Sequence, residues 1–282
     1  MSELENKKIG FIGGGRMVEA IFSGMLASGL IKKENVYVAD ISDSRLDFLV
    51  ETYGIQAVRK TENCENQGNL DVVDLADVVV IGTIPQVADK ILTDVAPKMD
   101  EKMPVVLSIM GGITLDFLQR YIRKAPVIRI MPNTPMLVQE GAAGVALGKN
   151  ASEKDGRIAL EIFNSVGNAY LLPESLIDPL TSVSGCGPAY AAMFIQSLAD
   201  GGVEMGLPRE MAVELAAKTL IGTGKMVLEK GLHPEILKDN VCTPGGGTIA
   251  GVRALEAGGF RGIVMDAVEG GMKRMIEVAE KA

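Results

Sequence analysis

The chain has no tryptophan and a single histidine, His233, and aromatic residues make up only 4% of its 282 positions. One histidine cannot build a histidine-cluster metal site or a His-centred triad, so neither is expected. Cysteine is nearly as scarce. Cys64, Cys186 and Cys242 show neither metal-type spacing nor a disulfide framework, which suits a reducing compartment. No apolar run approaches the ~20 residues of a membrane span, and Met1 to Lys8 lacks the apolar stretch of a signal peptide. A cytoplasmic protein is expected. The net charge of −8 argues against a nucleic-acid face and against anionic membrane.

What remains is aliphatic and glycine-rich. Hydrophobic residues at 47% are ample for a core, which must be built of aliphatics and methionine. The 33 glycines cluster at motif-like positions rather than in a repeat, and the length suits two domains.

Lys8-Ile9-Gly10-Phe11-Ile12 reads as a short strand. Gly13-Gly14-Gly15-Arg16-Met17-Val18 follows, then a helical stripe of Ala20, Ile21, Met25 and Leu26 up to Gly29. Strand, G-x-G and helix in this order form the dinucleotide fingerprint, in which a pyrophosphate closely approaches a helix N-terminus. Val18 stands where a small residue is usual, and its branched side chain is expected to widen helix–strand packing. The second strand, Val36 to Asp40, ends where an acidic residue accepts ribose hydroxyls in NAD binders. Ser42 and Arg45 follow, and these suit a 2′-phosphate. The residues thus point both ways on NADH versus NADPH, with a small tilt to NADH. Asp40 and Ser42 carry an equal alternative as helix caps.

Thr61 to Gly68 is a polar surface excursion with no functional reading, and Asn69 to Asp77 a short helix. Val78-Val79-Val80-Ile81 is an unbroken β-branched run of the kind found in central parallel strands. It leads into Gly82-Thr83-Ile84-Pro85-Gln86, with Pro85 suited to a helix start. Val105 to Ile109 ends in Met110-Gly111-Gly112, and Pro126 to Ile130 ends in Met131-Pro132-Asn133-Thr134-Pro135. In a doubly wound sheet these strand ends are expected to line a single crevice. Gly144 to Leu147 adds a late strand, Ser152 caps a helix over Glu153 to Val166, and Pro173-Glu174 breaks the pattern. The reading is an α/β Rossmann-type doubly wound domain over 1–168 and an all-α domain over 169–282.

The C-terminal half shows helical periodicity alone. Thr181 to Tyr190 is rich in small and hydroxyl residues, which permit close approach of a partner helix or a ligand. From Phe260 onward Ile263, Val264, Ala267, Val268, Gly271, Met272, Met275 and Ile276 share one face, and the methionines are read as core filling. His233 is read as an exposed loop residue, and Cys186 and Cys242 as small apolar fillers. So apolar a helical half suggests a homodimer. Asn240-Val241-Cys242-Thr243-Pro244-Gly245-Gly246-Gly247-Thr248 then runs into a helix. Three glycines there leave backbone N–H groups free to hold a small carboxylate. The alternative is a plain Gly-rich turn with Thr248 as the helix cap.

Five motifs in one order resemble the pyrroline-5-carboxylate reductase family across nearly the whole chain. They are Ile9 to Gly15 with Met17, Met131 to Pro135, Ser184 to Tyr190, Ala199 to Pro208, and Lys238 to Thr248. The resemblance implies hydride transfer from NADPH or NADH to the cyclic imine 1-pyrroline-5-carboxylate, giving L-proline. It implies a C-terminal helical domain that dimerises, with higher oligomers up to a decamer of dimers. It also implies that the substrate carboxylate sits on Gly246, Gly247 and Thr248 with help from Thr243. The Thr248 hydroxyl would meet the ring nitrogen as the catalytic contact, and Asn240 would approach the nicotinamide side. Arg16, Met17, Asn69, the loop of Gly82, Thr83 and Pro85, and Met110 would contact the cofactor, beside Gly13, Gly15, Asp40 and Ser42. Arg16, Val18, Thr83-Ile84, Met110 and Cys186 depart from the family pattern. Two rivals follow from these departures: a paralogue reducing a different cyclic imine or keto acid, and a dinucleotide-binding module without turnover.

Overall fold

The computed structural model describes residues 3, 4, 6–61 and 66–279; Cys64 and residues 62–65 of the polar excursion lie outside that range. Eight short strands, β1 (Ile9–Ile12), β2 (Val36–Ala39), β3 (Gln56–Val58), β4 (Val78–Ile81), β5 (Val105–Ser108), β6 (Val127–Met131), β7 (Gly141–Leu147) and β8 (Gly167–Leu171), form one sheet in the order 3-2-1-4-5-6-7-8. All neighbours run parallel except β6 and β7. The β-branched run of β4 is fully buried between β1 and β5, as a strand covered on both faces must be. The sheet changes winding direction between β1 and β4, and this is where a doubly wound fold opens its crevice.

Helices α1 (Arg16–Ala27), α2 (Asp43–Tyr53), α3 (Gln67–Leu75), α4 (Ala88–Lys102), α5 (Leu115–Tyr121) and α6 (Glu153–Asn164) connect these strands. Ser152 starts α6 with a full capping box to Asp155, as its sequence suggests. β3 carries no sequence signal: it has three residues, half-exposed at the sheet edge, too few to show an alternating pattern.

The anticipated cost of Val18 is absorbed elsewhere. Val18 is fully buried, and a Cβ at Gly82 would overlap its Cγ2 methyl. Glycine at 82 surrenders the volume that valine at 18 occupies, so α1 keeps its place over the sheet.

The chain divides into two compact units: one runs to Gly185 and is joined by the chain from Arg274, and the other is Cys186–Lys273. The first unit extends past the boundary expected at 168. β8 is its edge strand, and the chain after β8 is tied to the sheet by the 5%-exposed Arg129 of β6. Arg129 pairs with Glu174 (3.0 Å) and with Asp178 (3.1 Å) on α7 (Ile177–Leu180). A π-helical turn follows at Thr181–Gly185. The hydroxyls of Thr181, Ser182 and Ser184 donate to carbonyls of Ile177, Pro179 and Leu180, so these groups serve the widened turn. The buried Asn133 amide donates to Ser184 O at 3.0 Å and its Oδ1 accepts the N–H of Ala142 at 2.8 Å.

The second unit comprises α8 (Gly187–Glu204), α9 (Arg209–Lys230), α10 (Pro234–Val241), α11 (Gly247–Ala257) and most of α12 (Phe260–Ala279). Its buried cluster is only Ala199, Ala212 and Ala216, with Ile195 and Val203 beside it. Core filling therefore describes the α12 face only in part: Met272 and Met275 are half-buried, whereas Ile263 and Ile276 are exposed. No helix among the described residues is long and apolar enough to cross a membrane.

The exchange of volume between positions 18 and 82 is directly testable. Gly82→Ala should cost about 1–3 kcal/mol by overpacking. Val18→Ala in the same chain should recover most of it, giving a strongly non-additive double-mutant cycle in urea denaturation.

Candidate functional site

The glycine loop after β1 is built around one residue, Gly14. Gly13 adopts φ +95°, and a Cβ there would press on the Gly82 carbonyl at 3.0 Å, so only glycine makes this turn without strain. The N–H of Gly14 donates to Asp40 Oδ2 at 2.7 Å, and its carbonyl accepts Arg45 Nε at 2.7 Å. Asp40 Oδ1 also accepts the N–H of Ser42 at 2.9 Å, and Ser42 caps α2 by accepting the N–H of Arg45. Ser42 is therefore the helix cap, whereas Asp40 joins the glycine loop to the segment before the helix. The Arg45 guanidinium is ion-paired with Glu19 of α1, and the Tyr53 hydroxyl donates to the other Glu19 oxygen at 2.8 Å. Burial works to raise the Glu19 pKa, but the bonds from Arg45 and Tyr53 outweigh it and hold the carboxyl below its usual value. Burial and the bond to Glu19 push the Tyr53 phenol up.

With the loop braced in this way, α1 begins at Gly15, whose side is open and which supplies no side-chain cap. The first N–H groups of α1 thus face outward unclaimed, a cradle for a pyrophosphate. Gly13, Gly15, Asp40, Asn69, Gly82 and Thr83 line one cleft of ≈ 380 Å³, so these fit a dinucleotide. Arg16 is exposed and Met17 half-buried in the first α1 turn, and Pro85 opens a 3₁₀ turn over Pro85–Val87. Met110 is only 2% exposed, and its Sδ accepts the Thr83 hydroxyl at 3.6 Å, beneath the cleft wall.

Two of the four strand ends expected in the crevice, those of β1 and β4, line this cleft, joined by the end of β2. The ends of β5 and β6 do not, because Met110 and Asn133 turn inward as packing groups. Ile41, Asn66, Ile84, Val87, Lys90 and Ile91 complete the lining. Ile41 and Ile84 were legible as apolar residues beside strand ends. Lys90 and Ile91 carried no signal, because which face of the first α4 turn looks into the cleft is set by packing.

The second candidate site lies within the second unit. Pro244 and Gly245 occupy the middle of a turn closed by the Gly246 N–H donating to Thr243 O at 3.0 Å. Gly245 has φ +66°, and proline followed by such a glycine is the pairing a type II turn requires. A Cβ at Gly246 would collide with Thr243 Oγ1, so glycine keeps that hydroxyl beside the turn. Gly246 is the N-cap of α11 and no side chain caps the helix, so Thr248 is not the cap. The N–H groups of Gly247, Thr248 and Ile249 stand exposed at the positive end of α11. Arg261 of α12 braces both flanking helices, donating to Glu235 on α10 (2.9 Å) and Glu256 on α11 (2.7 Å). Hydrogen bonds from Arg261 and then Lys238 hold Glu235 down to about 2, so the brace stays ionised at neutral pH. Asn240 is exposed at the end of α10. Cys186 and Cys242 are free and half-buried.

Comparison with known proteins identifies the family. Residues 174–278 match the family model "Pyrroline-5-carboxylate reductase dimerisation", and residues 8–112 match "NADP oxidoreductase coenzyme F420-dependent". The chain is 40% identical to a pyrroline-5-carboxylate reductase of Arabidopsis thaliana, covering 98% of this chain and 97% of that one. It is 39% identical to that of Escherichia coli (strain K12), covering 98% of each. Among solved structures, a Coxiella burnetii pyrroline-5-carboxylate reductase superposes with TM-score 0.87 at 29% identity, covering 96% of this chain and 98% of that one. The Plasmodium falciparum pyrroline carboxylate reductase with NADP bound gives 0.82 at 32% identity, covering 96% and 97%.

The brace around Gly14 is testable by pH. Because the Glu19 pKa is lowered by folding, its contribution is present above the unfolded value and lost as pH falls through the folded one. Glu19→Gln should therefore lower thermal stability near neutral pH. Melting curves of the two proteins taken between about pH 7 and pH 3 should converge at the acid end.

Proposed function

This chain belongs to the pyrroline-5-carboxylate reductase family, and on that premise we infer how its two sites divide the work. The protein is an NAD(P)H-dependent oxidoreductase that reduces the cyclic imine of 1-pyrroline-5-carboxylate to L-proline. When bound, the dinucleotide supplies the hydride. The N–H groups at the start of α1 and the open side of Gly15 would hold its pyrophosphate, and the turn at Gly13 sets their direction. Arg16, Met17, Asn69, Gly82, Thr83 and Pro85 flank it, and Met110 supports Thr83 from below.

The turn at Thr243–Thr248 takes the substrate. The N–H groups of Gly247 and Thr248 and the backbone at Gly246 bind the carboxylate, and the Thr243 hydroxyl adds a further donor. The Thr248 hydroxyl oxygen accepts the N–H of the protonated ring nitrogen and so orients the electrophilic carbon. Asn240, exposed at the end of α10, is the residue this reading assigns to the nicotinamide. The exposed, uncapped start of α11, behind a turn that only glycine makes without strain, is the observation that carries this reading. An iminium is already a good hydride acceptor, so no nucleophile or His base is required. Orientation and fixed dipoles suffice.

The helical unit serves as a dimer interface in this proposal, with higher oligomers assembled from dimers. Its support is the match of residues 174–278 to a dimerisation model and the exposure of Met193 (70%), Met205 (78%), Leu228 (75%) and Met265 (71%) on helices with an alanine core. The free thiols of Cys186 and Cys242 suit a cytoplasmic setting.

Purified protein should oxidise reduced dinucleotide only when 1-pyrroline-5-carboxylate is added, with proline as product. Thr248→Ala should lower turnover by about one to two orders of magnitude, the effect of losing one positioned hydrogen-bonding group. Unchanged kinetics would remove Thr248 from the mechanism. Light scattering at micromolar concentration should give a multiple of 29.9 kDa; a monomeric mass would count against the interface.

A further inference from the structure

We propose that this chain selects NADH over NADPH, and that the Asp40 carboxylate, immobilised at the ribose end of the cleft, is the selecting group. The proposal rests on the reductase reading above and concerns the cofactor of that same site.

Asp40 closes β2 and lines the same cleft as Gly13 and Gly15. In a doubly wound fold this is where the adenosine ribose arrives. A ribose 2′-hydroxyl donates a hydrogen bond to a carboxylate. A 2′-phosphate brings acceptor oxygens and negative charge to the same point.

An acidic side chain can often turn aside from a phosphate, but this one is held. Its two oxygens take the N–H groups of Gly14 at 2.7 Å and Ser42 at 2.9 Å. Rotating away would break both bonds and free the Gly14 N–H that anchors the glycine loop. Selectivity and loop geometry therefore share one side chain.

The cations nearest Asp40 are already bonded, and Arg16 stands exposed on the other side of the loop, at the start of α1. Arg45 is bound to Gly14 O and Glu19. The Ser42 hydroxyl accepts the N–H of Arg45 and lies 3.0 Å from Ser44 Oγ. Arg59 pairs with Asp43 and Asp47 of α2, and Lys60 Nζ donates to the Ile41 carbonyl at 2.8 Å. Lys90 lines the cleft from α4 and is engaged as well. The α2 N-terminus, which favours anions, already has Asp43 in its first turn.

The test is direct binding. Dissociation constants for NADH and NADPH are measured on the wild-type protein by nicotinamide fluorescence, with no imine present. NADH should bind tighter by about tenfold or more, the scale of one partly screened like-charge contact. Asp40→Ser keeps a hydroxyl acceptor near Gly14 and removes the charge, so it should shift the ratio toward NADPH by a similar factor. Equal or tighter NADPH binding by wild type, or an unchanged ratio in a folded Asp40→Ser protein, overturns the proposal. If that variant does not fold, the wild-type ratio still decides. Imine-dependent oxidation is scored separately. A protein that turns over the imine yet binds NADPH as tightly as NADH keeps the reductase reading and loses this one, and NADH preference without imine turnover does the reverse.

Discussion

Gly14 is gripped from both sides, its N–H by the Asp40 carboxylate and its carbonyl by the Arg45 guanidinium. The rest of the nucleotide-binding unit depends on this grip. It joins the turn after β1 to the end of β2 and the start of α2, and Glu19 extends it to α1. Partly buried charges are costly unless paired and hydrogen-bonded, and here each charge has a fixed partner. With the loop immobilised by its second residue, the N–H groups that follow remain available to a phosphate group.

The same economy of space appears at the helix–strand contact. Valine at 18 is tolerated because position 82 has no side chain, so two departures from ordinary packing cancel in one place. Farther along the sheet, Arg129 and Asn133 use buried polar contacts to fix the chain that follows β8. Arg129 ties Glu174 and Asp178 to β6, and Asn133 holds both β7 and the π-helical turn. Buried polar groups of this kind specify one arrangement, because any slip leaves them unpartnered.

The helical unit follows a different rule. Its alanine cluster lets α8 and α9 approach closely but encloses little apolar volume, and large aliphatic side chains remain on the surface. Such a unit leaves apolar surface that the proposed second copy would cover. The Thr243–Thr248 turn needs a rigid frame against this background. Arg261 provides one by bonding to the helices on either side of the turn, while the turn itself keeps its N–H groups exposed.

Much of this protein was determined by local sequence. The β-branched run of β4, the glycines at 13 and 245 and the Ser152 cap act through backbone preference and periodicity over a few residues, and they stand where the sequence places them. The family motifs likewise fall on the two candidate sites. Tertiary structure decided the rest. Nothing local announces that Gly82 yields its volume to Val18, or that Arg129 reaches Glu174 across 45 residues of chain. The sequence places Asp40, Ser42 and Arg45 within one short segment and leaves open which of them meets the ribose. That depends on where the partners of each one hold it. The partners that occupy Asp40 and Arg45, Gly14 and Glu19, lie 26 to 31 residues away. They meet only when β1 and β2 pair side by side and bring α1 against α2.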